Sequence, residues 1–188
     1  LGDVYKRQDL NRLKSYKSYV KKDENFEVTD NKIHEIYKII QASKRPILIA
    51  GWGIHLSKTT KEFINFAERL GIPVALTWGA CDILPSTHYL NVGTFGTHGK
   101  RHANFAVQNA DLIISLGSRL DTKSTGSPVN TFAREAKKIV VDIDNNELTK
   151  FSKFGLKIDI LINADLKSFF KSFISLENSL YNQNKNYS

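Results

Sequence analysis

The sequence predicts an α/β domain: a doubly wound, mainly parallel sheet of Rossmann-like nucleotide-binding type. Three observations carry this expectation. Short, mostly apolar runs at 47–50, 112–116 and 139–143 have the composition of strands buried on both faces. Segments with helical apolar spacing alternate with them. Glycines stand where strands pass into loops, at Gly51, Gly53 and Gly117. Such alternation implies parallel strands covered by helices on both faces, joined by right-handed crossovers.

The elements follow in order. The opening, Leu1 to Gln8, reads as a non-native start, and the polar, Lys-rich stretch to residue 31 as a linker. The domain is expected over 32–176. Ile33, Ile36, Tyr37 and Ile40 recur at helical spacing, with Thr29 or Asp30 as N-cap, and Arg45-Pro46 ends that helix. Strand 47–50 comes next, then a tight turn at Gly51-Trp52-Gly53. A helix over 58–70 buries Phe63, Ile64, Phe66, Ala67 and Leu70, and Gly71 caps it. A second strand is expected at 73–77. A loop through Trp78, Gly79, Pro85 and Gly93 leads to a helix at 100–109 and the strand 112–116. A loop at 118–131 ends in a short helix. Strand 139–143, a helical turn at 146–151, strand 158–162 and a closing helix at 165–176 complete the domain. The Asn-rich tail, 177–188, reads as a polar linker.

Composition bounds the function. At 188 residues the chain is sized for one domain plus tails, and 41% apolar residues suffice for a core. No apolar run approaches the roughly 18 residues of a membrane span. The single cysteine, Cys81, has no internal disulfide partner, so a reducing, cytoplasmic setting is expected. The net charge of +8 is spread along the chain with no basic helix interleaved with aromatics, so no nucleic-acid partner is expected. The chain has no methionine, which, with the irregular opening, suggests a fragment of a longer protein, with a processed or tagged product as the alternative.

In open parallel sheets ligands bind beyond the carboxyl ends of the strands. The loops beginning at Gly51, Thr77, Gly117 and Asp142 are therefore the candidates. Gly51-Trp52-Gly53 either lets the backbone approach a phosphate at a helix N-terminus or is a plain βα turn, since the third glycine of the dinucleotide fingerprint is replaced by Leu56. The Gly93–Gly99 loop holds three glycines and could pass close to a planar or phosphorylated ligand with His98 as a donor, or else is a surface loop with a solvated histidine. Arg119 suits a phosphate or a planar ring, or else a salt bridge to Asp121 or Asp142. Asp142 suits ribose hydroxyls or an adenine amine, whereas Asp144 suits a helix cap. No Gly-x-Ser-x-Gly elbow, Walker loop or metal-spaced cluster is present, so no catalytic or metal-binding residue is assigned.

Taken together, GTFGTHGKRHANFAVQNADLIISLGSRLD, FAREAKKIVVDIDNNELTKF and INADLKSFF resemble the central domain of thiamine-diphosphate-dependent enzymes, most closely that of the acetolactate synthase large subunit. The resemblance runs from about residue 32 to 173. It implies a Rossmann-like sheet that holds FAD or ADP. The positions it implies near the nucleotide are Gly51, Trp52, Gly53, Thr77, Trp78, Thr97, His98, Gly117, Arg119, Asp121, Asp142, Ile143 and Asp165. It also implies thiamine diphosphate and magnesium in flanking domains of a homo-oligomeric parent enzyme acting on a 2-oxo acid such as pyruvate. Thr122 and Lys123 stand where the synthases carry Asp and Arg, and Trp52 where they carry Gly. A stand-alone nucleotide-binding module without catalytic activity is the alternative.

Overall fold

The computed structural model describes residues 27–185, with side chains described to residue 179. Residues 1–26 and 186–188, where parts of the two expected linkers fall, lie outside the described residues. The strands are β1 (Pro46–Ala50), β2 (Val74–Leu76), β3 (Asn91–Thr94), β4 (Leu112–Leu116), β5 (Lys137–Asp142) and β6 (Ile160–Asn163). The helices are α1 (Asp30–Ala42), α2 (Gly53–Leu56), α3 (Thr60–Leu70), α4 (Arg101–Gln108), α5 (Thr122–Thr125), α6 (Asn145–Phe154) and α7 (Leu166–Lys185), with 3₁₀ turns at Trp78–Ala80 and Val129–Thr131.

All six strands run parallel, in the order β3-β2-β1-β4-β5-β6. The chain winds outward from β1 in one direction, returns, and winds outward from β4 in the other. The crevice between the carboxyl ends of β1 and β4 is therefore the topological switch point, where such sheets bind ligands. The doubly wound fold predicted from the sequence is the fold of the structure.

Alternation along the strands divides the core. Leu48 and Ala50 of β1, Ile114 and Leu116 of β4, and Ile139 and Val141 of β5 face α1, α3 and α7. Ile47 and Ile49, Ile113 and Val140 face α4 and α6 on the other side. The α7 face holds an aromatic cluster. Phe66 of α3 meets Phe173 edge-on, 4.8 Å between centroids at 82°, and lies 5.5 Å from Phe170. This edge-to-face geometry adds to the area each ring buries. Truncating Phe66 to Ala is expected to lower stability by about 3–5 kcal/mol, as for other buried rings, measured by denaturant unfolding.

Three differences from the sequence reading have physical causes. Strand β3 falls inside the expected 78–99 loop. Its residues, Asn-Val-Gly-Thr, are half-buried at a sheet edge, and its pairing with β2 shifts register between Val74 and Ala75. An edge strand that short and polar has no apolar signature. Helix α2, a single turn, begins at the last residue of the expected tight turn and fills the gap before the helix expected from residue 58. Helix α7 runs to Lys185, through most of the stretch read as a tail. Leu176 packs on the core and Glu177 pairs with Arg69 at 3.0 Å, so tertiary contacts extend the helix beyond its apolar pattern.

Candidate functional site

The switch point is a close crossing of two backbone turns. Gly51 donates its N–H to the Leu116 carbonyl at 3.0 Å, and Gly53 donates to the Gly117 carbonyl at 2.9 Å. A Cβ on Gly51 would stand 2.2 Å from the Gly117 oxygen, and one on Gly53 2.7 Å from the Gly117 Cα. Gly117 itself has φ +60°, a left-handed conformation that favours glycine. The three glycines thus serve the packing of β1 against β4. Of the two readings of the first turn, these bonds favour the plain βα turn: the amides of Gly51 and Gly53 donate within the protein. The amides of Trp52, Ser118 and Arg119, at the same crossing, donate to no acceptor among the described residues.

Two hollows open on either side of this seam. The smaller, about 180 Å³, lies over β1, β2 and β3, against Thr77, Trp78, Thr97, His98, Asp121 and Lys123. The larger, about 550 Å³, lies over β4, β5 and β6, against Gly53, Asp142, Ile143, Asp144, Glu147 and Asp165. Trp52, Gly117 and Arg119 border both. The larger hollow has the size usual for small-molecule sites. Every position implied near the nucleotide borders one or other hollow except Gly51, which is buried beneath the crossing, and the glycines of the Gly93–Gly99 loop line neither.

Several of these side chains already have structural tasks. Thr77 donates its hydroxyl to the Ala50 carbonyl at 3.0 Å. Thr97 donates both its N–H, at 2.7 Å, and its hydroxyl, at 3.1 Å, to the Lys123 carbonyl, tying the glycine loop to α5. Asp121 caps α5, accepting from the Ser124 N–H at 3.1 Å. Asp144 caps α6, accepting from the Asn146 N–H at 2.9 Å, as expected of it. Asp165 accepts from the Lys167 N–H at 2.8 Å in the first turn of α7. Trp78, more than half exposed, lies beside the His98 ring, 5.0 Å between centroids.

Arg119 pairs with neither Asp121 nor Asp142. It donates to Glu147 of α6 at 2.8 Å and is otherwise largely exposed. Lys150, one turn further along α6, donates to both Glu147 and the Arg119 carbonyl. The hydrogen bond from Arg119, followed by that from Lys150, holds the Glu147 carboxyl below its ordinary range against the opposing effect of burial. Asp142 behaves oppositely. Burial pushes its carboxyl up, and the N–H of Asp144 only partly offsets this. Glu147 and Lys150 escaped the sequence reading. They lie at an i, i+3 spacing on a helix read only as one turn, and their pairing reaches across to a loop 28 residues away in sequence.

The arrangement offers amides unpartnered among the described residues and a guanidinium at the seam, exposed aromatic faces on Trp52 and Trp78, and carboxylates around the larger hollow. These can hold an anionic group between two planar or hydroxylated parts of one ligand.

Comparison with known proteins bears on the same region. The family described as thiamine pyrophosphate enzyme, central domain, matches residues 33–173. The acetolactate synthase large subunit of Lactococcus lactis is 37% identical over 153 residues, covering 81% of this chain and 26% of that protein. That of Corynebacterium glutamicum is 40% identical over 126 residues, 67% of this chain and 20% of the relative. A probable acetolactate synthase large subunit of Methanococcus aeolicus is 35% identical over 142 residues, 76% of this chain and 23% of the relative. The chain thus spans about a quarter of the length of the curated relatives it matches. A family match across the whole described sheet, joined to this fold, makes the chain a member of the thiamine pyrophosphate enzyme family, as a central domain resembling that of acetolactate synthase large subunits.

Proposed function

We propose that this chain is the nucleotide-binding central domain of a thiamine-diphosphate-dependent carboligase or decarboxylase of acetolactate-synthase type, whose parent protein acts on a 2-oxo acid such as pyruvate. The observation that carries the nucleotide reading is the seam. Trp52, Ser118 and Arg119, whose amides donate to no acceptor among the described residues, and the Arg119 guanidinium border the hollows at the switch point. A diphosphate bound there would place an adenosine in the larger hollow, with Asp142 as acceptor for hydroxyl or amine donors. The occupant is an adenine nucleotide, FAD or ADP.

Thiamine diphosphate, with magnesium, would supply carbanion stabilisation in the parent enzyme, bound by flanking domains outside this chain. These flanking domains are the proposed partners, within a cytoplasmic homo-oligomer. No described helix is long and apolar enough to cross a membrane. The chain alone is expected to form no acetolactate from pyruvate with thiamine diphosphate and magnesium added, and steady product formation by purified material would contradict this.

Calorimetric titration of ADP and FAD into the chain tests the nucleotide reading. Saturable binding with a dissociation constant below about 1 mM supports it. Absence of heat for both ligands in the millimolar range would sink it. Binding of ADP and FAD with equal affinity would restrict the site to its adenine half.

A further inference from the structure

We infer that Glu147 is a specificity-determining residue of this site, one that admits a ribose with free hydroxyls and turns away a ribose carrying a further phosphate. The inference rests on the nucleotide-binding reading above. Its starting point is the state of the one guanidinium available. Arg119 is the only cationic side chain bordering the larger hollow among the described residues. It is bound to Glu147 at 2.8 Å, and Glu147 borders the larger hollow and not the smaller. The bonded edge of the guanidinium is therefore turned to the side where the adenosine would lie. Lys150 donates to Glu147 and to the Arg119 carbonyl, so carboxylate, guanidinium and seam backbone form one braced unit.

A phosphate on the ribose would need a cation in that hollow, and arginine is the usual partner for one. Here it meets two obstacles. To reach the edge of Arg119 turned to that hollow it must displace Glu147, leaving that carboxylate with Lys150 alone beside the new dianion. If it does not, it faces Asp142 and Glu147 without a cationic donor. A ribose hydroxyl meets neither obstacle. Asp142 accepts the Asp144 N–H through Oδ1, and its Oδ2 has no partner among the described residues. The hollow therefore favours neutral donors and opposes a second anion, a selection made by repulsion as much as by attraction.

The test compares ADP with 2′-phospho-ADP, titrated calorimetrically into the wild-type chain and into Glu147→Gln at one ionic strength. The wild type is expected to bind ADP at least about tenfold more tightly than its 2′-phosphorylated form. Glu147→Gln is expected to shrink that ratio severalfold, chiefly through a gain for 2′-phospho-ADP, because Arg119 is released. Thermal melting checks that the variant folds. Should it fail to fold, Asp142→Asn leaves the ion pair in place and is expected to move the ratio in the same direction. Equal affinities in the wild type, or a ratio unchanged in the folded variant, overturn the inference and leave the nucleotide reading standing. If the wild type binds neither ADP nor FAD, the reading fails and the inference with it.

Discussion

Gly51→Ala is expected to lower stability by about 3 kcal/mol or more, among the largest effects of adding a single methyl group to this chain. The new Cβ would lie 2.2 Å from the Gly117 oxygen and 2.5 Å from both the Gly117 carbonyl carbon and the Ser118 Cα. All three are backbone atoms, so no side-chain rotation relieves the clash. The tips of β1 and β4 must separate. That stretches the Gly51 N–H···O=C Leu116 and Gly53 N–H···O=C Gly117 hydrogen bonds, now 3.0 and 2.9 Å. Gly155→Ala is the matched control. Gly155 has φ +73° but nothing within 4 Å of a Cβ, so only the left-handed conformation is penalised, by about 1 kcal/mol. Denaturant midpoints of the two variants decide the matter. If Gly51→Ala is no less stable than Gly155→Ala, the tight crossing is not what requires glycine at position 51.

Arg119→Ala is expected to weaken ADP or FAD binding roughly ten- to hundredfold, the usual consequence of losing a charge-assisted hydrogen bond to phosphate. Folding should be almost untouched, because Arg119 is largely exposed and its pair with Glu147 lies at the surface. Loss of affinity without loss of melting temperature therefore separates a binding residue from a structural one. Lys123→Ala is the comparison. Lys123 borders the smaller hollow, but the loop is held through its carbonyl, which alanine retains. Its loss should weaken binding less than that of Arg119. Calorimetry on both variants checks this, and equal losses would show that the seam has no special claim on the phosphate.

The sheet was legible because buried parallel strands announce themselves. Leu112–Leu116 and Ile47–Ala50 are short, apolar and bounded by turn residues, and both are strands. Strand β3 was not legible, since an edge strand of Asn-Val-Gly-Thr carries no periodicity and is held by pairing with β2 alone among its strand neighbours. The same contrast holds in the site. Residues at strand ends, such as Arg119 and Asp142, can be placed from the strands themselves. What each side chain does could not be read this way. Gly51 looked like a phosphate contact because glycine permits close approach, yet what approaches it is Gly117. Arg119 had two acidic neighbours in the sequence reading, Asp121 and Asp142. Its partner is Glu147, presented by the first turn of α6 after Asp144 caps that helix. Such pairings depend on where a helix lands relative to a distant loop, which local sequence does not encode.

The central claim is that a nucleotide lies across the carboxyl ends of the strands, its diphosphate at the crossing of β1 and β4. Backbone amide resonances followed during titration with ADP test it most directly. The largest shifts are predicted at Trp52, Ser118 and Arg119, whose N–H groups have no acceptor among the described residues, with smaller shifts at Ile143 and Asp144 around the larger hollow. The amides of Lys44 and Arg45, bonded to Asp111 at 2.8 Å at the opposite end of the sheet, should not move. Shifts centred on Lys44, Arg45 and Asp111, with none at Trp52, Ser118 and Arg119, would contradict the account.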